Sequence, residues 1–196
     1  MANYITVAAA LLLAVSAGRA PAAEPAAGGG TRYVQASSGS SLAFTFMQQG
    51  AETAGRFKTF ATELRYDEAD PAQGSLLVRV KIDSVDTQDE ERDDALLGPS
   101  LFDAESYPAA TYVAKSFART AGGGLEAVGK LTIRGVSKDL RLPLTIKPAG
   151  SGLVLSGETS IRRLDFGVGQ GQLKSTKSLG DEVKIKYEVA LVRAPE

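Results

Sequence analysis

Apolar and polar residues alternate strictly in three stretches of the 196-residue chain, and a period of two is the signature of a strand with one buried face. Leu76, Val78, Val80 and Ile82 alternate with Leu77, Arg79, Lys81 and Asp83. Leu140, Leu142, Leu144 and Ile146 alternate with Asp139, Arg141, Pro143 and Thr145. Val183, Ile185, Tyr187, Val189 and Leu191 alternate with Lys184, Lys186, Glu188 and Ala190. Less regular strand patterns over 42–48, 56–66, 110–118, 125–133 and 153–161 bring the total to about eight strands. Short turn-like connections at 67–71, Gly122-Gly123-Gly124, Gly135-Val136-Ser137 and 148–152 predict antiparallel pairing of neighbours. One interval departs from the pattern. Thr87 followed by Glu90 has the spacing of a capping box, and good helix formers run from there to Gly98-Pro99, so a short helix is expected over 87–97.

Eight such strands can close into a barrel or stack as a sandwich, and alternation alone serves both. The distinction bears on function. A closed eight-stranded barrel is about the smallest that either fills its interior with side chains or holds one slender ligand.

The ends of the chain bound the folded part. An apolar run from Ile5 to Val15 precedes small residues up to Ala23, which reads as a secretory signal over 1–23. Its first four residues carry no Lys or Arg, and the apolar run is shorter than the ~20 residues that span a bilayer. Residues 24–30 read as a flexible leader, leaving one domain over 31–196. Export through a cleaved signal places the expected destination in a periplasm. The chain has no Cys, so no disulfide is available and the core and backbone ladder must supply stability. Net charge is −1 with both signs interleaved, which attracts neither nucleic acid nor an anionic membrane surface.

The absence of His, Cys and Trp excludes His-based triads, thiolate nucleophiles and the common zinc sites. The segment 124–131 nearly matches a phosphate-binding loop, but Leu131 stands where Ser or Thr is required and the segment reads as a strand. Gly167-Val168-Gly169-Gln170-Gly171 lacks the spacing of a dinucleotide fingerprint. Carboxylates crowd 83–94, yet the glycine and glutamate of a calcium loop are missing. They suit the first turn of a helix, whose dipole favours negative charge. An enzyme using paired carboxylates around Asp86, Asp89 and Asp93 is one competing reading. A filled barrel or sandwich acting as an interaction module is another. No metal site, catalytic residue or required cofactor is expected.

Several short motifs, in one order along the chain, carry a resemblance. They are Gly55-Arg56-Phe57 with Phe60; 84–87 leading to Arg92-Asp93 and Leu96; Phe102-Asp103; 107–112; 129–138; Arg163 with Asp165-Phe166-Gly167; and 180–183. Together they make the chain similar to the YceI-like polyisoprenoid-binding proteins from about Tyr33 to Val192. The resemblance implies an all-β fold, an eight-stranded antiparallel lipocalin-like barrel with one short helix in the 87–97 connection. It also implies a periplasmic protein whose tunnel holds a polyisoprenoid lipid or quinone, and family members that are often homodimers. Ser137-Lys138-Asp139 and a longer, glycine-rich 167–178 loop depart from the family pattern, which bears on the rim more than on the barrel.

On that reading the tunnel lining is drawn from the inward sets: Leu42, Phe44 and Phe46; Val78, Val80 and Ile82; Leu131 and Ile133; Leu142, Leu144 and Ile146; Ile185, Tyr187 and Val189. Each is equally a normal core position. Arg163, Asp165 and Phe166 are candidates for a rim where an arginine meets a quinone or phosphate head. The simpler account of them is an Arg–Asp pair that fixes a loop.

Overall fold

The computed structural model describes residues 29–195, and the expected signal over 1–23 lies outside them. The strands are β1 (Thr31–Gln35), β2 (Ser41–Gln48), β3 (Ala51–Phe57), β4 (Phe60–Tyr66), β5 (Ser75–Lys81) and β6 (Val85–Asp86). Helix α1 (Glu90–Leu97) follows, then β7 (Ala109–Arg119), β8 (Leu125–Ile133), β9 (Val136–Ala149), β10 (Gly152–Arg162) and β11 (Leu179–Arg193). Three-ten turns occupy Arg163–Phe166 and Gly171–Lys174 in the last connection.

These strands form a closed antiparallel barrel of eight staves. β1 and β2 lie end to end along β11, with Gln35 opposite Leu191 and Ser41 opposite Glu188. β4 and β3 lie end to end against them, and β5 and β6 against β4 and β3. β7 to β11 then follow as single staves, each paired with the one before. The pairing of β1 and β2 with β11 closes the ring and leaves a barrel rather than a sandwich.

Several local expectations need correction. The strand expected over 56–66 is broken at Lys58-Thr59, because the Ser84 hydroxyl accepts the Thr59 N–H (3.0 Å) and donates to the Lys81 carbonyl (2.7 Å). One buried serine thus fixes the bend in two neighbouring staves. Helix α1 is capped by Asp89, whose carboxylate accepts the Arg92 N–H. Thr87 instead gives its hydroxyl proton to Asp93 at 2.6 Å, so it precedes the helix and does not cap it. The β8–β9 hairpin turns on Arg134 and Gly135, both with positive φ (49° and 71°), the geometry that matches strand twist in a two-residue hairpin. Val136 and Ser137 belong to β9, not to the turn. Gly29, near the end of the expected leader, donates its N–H to the Gln73 carbonyl (2.6 Å).

Two apolar clusters divide the interior. At the end where β7 meets β8, Leu64, Leu76, Phe117, Ala127, Leu155 and Leu191 pack at 3 % exposure or less and close the barrel. At the other end Phe44, Phe46, Ile133 and Val168 pack with Leu96 of α1 and Leu101 beyond it, so α1 and the 163–179 connection form a lid.

Candidate functional site

The inward residues between the two clusters behave unlike ordinary core. Leu42, Val78, Val80, Leu131, Leu142 and Ile185 all face inward but stay only half-buried, because each packs on a cluster on one side and borders a void on the other. The cavity has a volume of about 190 Å³. A cavity of roughly 150 Å³ suffices to hold a benzene ring, so this one accommodates a short length of hydrocarbon without rearrangement.

Twelve of the fourteen lining candidates stand on its wall: Leu42, Phe44, Phe46, Val78, Val80, Ile82, Leu131, Ile133, Leu142, Ile185, Tyr187 and Val189. Leu144 and Ile146 do not. They share the inward parity of Leu142 but sit further along β9, where they pack into the closed-end cluster. Residues that the alternation did not single out complete the wall, among them Phe57 and Phe60 on the bent stave and Leu96, Leu101, Phe102 and Val168 from the lid.

The three rim candidates divide. Asp165 is exposed and Phe166 is buried in the lid cluster; neither lines the cavity, and both line a charged hollow outside its wall. Arg163 does line the cavity, but at 4 % exposure and with its donors spent inside the protein. Its Nε, Nη1 and Nη2 donate to the carbonyls of Gly180, Val168 and Leu179, each at 2.8 Å. Burial holds its pKa below the ordinary value, while the Asp181 carboxylate acts the other way. The guanidinium fixes the lid loop through backbone carbonyls, not through Asp165.

The two tyrosines on the wall spend their hydroxyls inside the protein. The Tyr112 phenol donates between the carbonyls of Ala127 (2.8 Å) and Leu140 (3.0 Å), and the Tyr187 phenol donates to Pro143. Gly157 lies directly opposite Tyr187, and a Cβ there would collide with the phenol oxygen. The Thr62 hydroxyl is buried without a hydrogen-bond partner. Burial pushes both phenols well above the usual 10.0. A raised folded value means that their contribution to stability is complete below the ordinary tyrosine pKa and is lost as pH climbs past it. In an alkaline titration followed by phenolate absorbance, the Tyr112 and Tyr187 ionisations should therefore coincide with unfolding. The Tyr112→Phe/Tyr187→Phe variant should lack that step, and finding both phenols titrating freely near pH 10 in the folded protein would contradict the assignment.

The acidic stretch is occupied by structural tasks. Asp86 pairs with Arg56 at 2.8 Å, and that hydrogen bond, helped by the Gln88 N–H, holds its carboxyl below the usual range. Asp89 caps α1 and Asp93 accepts from Thr87. Among the described residues no group of carboxylates is arranged to hold a metal ion, and no helix is long and apolar enough to cross a membrane.

A closed antiparallel barrel around an end-capped apolar cavity defines a cavity-bearing lipocalin-like barrel. The YceI-like domain model matches residues 33–191, and the chain belongs to the YceI-like family. A UPF0312 protein of Vibrio cholerae is 32% identical over 122 residues, covering 58% of this chain. The match spans 64% of that relative's length, a little under two thirds. The crystal structure of BcnA from Burkholderia cenocepacia superimposes with a TM-score of 0.74 at 34% identity, covering 77% of this chain and 95% of that one. A polyisoprenoid-binding domain from Saccharophagus degradans, implicated in plant cell wall breakdown, matches with a TM-score of 0.66 over 83% of this chain and 98% of its own. Its identity is 16%, so that likeness speaks for the fold alone.

Proposed function

We propose that this protein binds a long isoprenoid, such as a polyprenol, a polyprenyl quinone or a similar amphiphile, and acts as its carrier, store or sensor. The observation that carries the reading is the void itself: an interior built to be filled would not leave six inward apolar side chains half-buried. Each buried methylene contributes ~0.8 kcal/mol, about 4 kcal/mol per five-carbon unit, so a few units offset the ordering cost of association. Among the described residues Arg163 is the one cation on the wall and already serves three carbonyls, so a phosphate drawn into the interior would lose its hydration with little return. The Saccharophagus degradans domain of the same fold is described as polyisoprenoid-binding, the ligand class proposed here.

Export through the 1–23 signal to a periplasm is part of this proposal; the mass of the mature protein tests it. The ligand is tested by expressing the full chain in a bacterial periplasm, purifying without detergent, and combining native mass spectrometry with organic extraction. A co-purifying polyprenyl compound is the expected result. A ligand-free protein that also ignores added polyprenols and quinones would favour the interaction module instead.

A further inference from the structure

Packed side chains lie across each end of the cavity, the closed-end cluster at one and the lid at the other, so an entering chain must displace one of them or pass through the wall. The lid is tied in place. Gln170 donates its N–H to Ser100 (2.8 Å), Arg134 donates to the Leu101 carbonyl (2.6 Å), and Arg163 joins the Val168 carbonyl of the last connection to those of Leu179 and Gly180 at the start of β11. Opening it breaks all of these at once.

The wall between β9 and β10 is different. Their ladder runs only from Gly152 opposite Ala149 to Ser156 opposite Thr145, although β10 continues to Arg162 and β9 begins at Val136. Over the remaining length β10 stays paired to β11 and β9 to β8, so β9 and β10 run on without a ladder between them while each keeps its other neighbour. Pro143, which has no N–H to give, stands where the ladder stops, and its carbonyl takes the Tyr187 phenol instead. From Gly157 to Arg162 the unladdered seam is about 20 Å long at strand rise.

Outside the seam lies a hollow lined by Lys138, Asp139, Arg162, Asp165, Asp181 and Glu182. Leu140 and Ile161 line this hollow and also line the inner cavity. Extending the β9–β10 register sets these two residues directly opposite each other. Two half-buried apolar side chains are therefore what separates the void from a water-filled, charged depression.

We propose that the ligand's chain enters sideways through the seam between β9 and β10, parting Leu140 from Ile161, while its polar head remains in the charged hollow outside. This rests on the isoprenoid-binding reading. The route needs no backbone ladder to break, only two side chains to change rotamer, and the amphiphile never has to bring its head through the apolar interior. The surrounding charges keep the exposed seam wetted, so its unpaired strand edges do not become a template for another chain.

The test uses the absence of Cys from the chain. Arg141→Cys and Ser160→Cys put two thiols on the outer face, opposite each other in the extended register, where a short bismaleimide can bridge them. Retinol, an isoprenoid alcohol whose fluorescence rises in apolar surroundings, is the probe. The bridged protein should take up and release retinol at least ~10-fold more slowly, with its equilibrium affinity within ~2-fold of the unbridged double variant and of each singly modified control. Ile161→Ala should speed uptake. A bridge between Ser100→Cys and Gln170→Cys, which locks the lid, should leave the rates unchanged. Unaltered rates in the seam-bridged protein, or slowing only when the lid is bridged, would overturn the lateral route while leaving binding intact. Failure of every form to bind retinol at equilibrium would overturn the isoprenoid reading and the route together.

Discussion

Val80→Phe combined with Ile185→Phe should weaken isoprenoid binding by at least ~100-fold, about 2.7 kcal/mol, and leave the barrel folded. Val80 pairs with Phe60 and Ala110 on one side of the barrel, and Ile185 pairs with Phe44 and Thr159 across from it. Both are half-buried and line the cavity, so each new ring enters empty space rather than displacing a neighbour. Filling a void also recovers contacts that its lining lacked. Overpacking elsewhere in a core costs 1–3 kcal/mol; here the gain and the strain should leave the melting temperature within a few degrees. Retinol or polyprenol titration and a thermal melt decide the matter. The exposed Val192, changed to Phe, is the control and should alter neither quantity. An unchanged affinity in the double variant would place the ligand outside this cavity.

The elements that were legible in the sequence are those whose environment is set by their own parity. β5, β9 and β11 announce themselves because water lies on one face and the interior on the other, and a meander needs no further information to close. β1 was not legible: within Thr31–Gln35 only Tyr33 and Val34 are apolar, and the strand is held by its position between β4 and β11. The Lys58-Thr59 bend was hidden because its cause, Ser84, lies on a different stave. Parity also cannot tell void from core. Leu142 and Leu144 have the same pattern around them, and only their height along the barrel axis decides that one lines the cavity and the other the plug. The lid contributions of Leu96, Leu101, Phe102 and Val168 depend on tertiary placement of a helix and a loop with no strand period. The loop-fixing role of Arg163 is legible and its partners are not, because three backbone carbonyls leave no trace in side-chain identity.

That role sets the second large effect. Arg163→Met should destabilise the protein by about 3–5 kcal/mol, since it keeps a long side chain but removes the donors of three buried or half-buried carbonyls, each worth 1–3 kcal/mol when orphaned. For a domain of this length about 1 kcal/mol corresponds to 2–4 °C, so the melting temperature should fall by roughly 10 °C. Arg163→Lys should lose most of the same amount, because one ammonium cannot reproduce a planar fork reaching Gly180, Val168 and Leu179 together. The loop has been shaped around the guanidinium: Gly169 has a φ of 117°, and any Cβ there would strike Nη1. Damage should therefore be local before it is global. Amide exchange and proteolytic cleavage over 163–179 should accelerate well below the melting temperature, while β5, β7 and β8 keep their protection. A variant that melts within 2 °C of the parent, a shift of under about 1 kcal/mol, would mean that water replaces the guanidinium at those carbonyls, and that the lid is held by its apolar cluster alone.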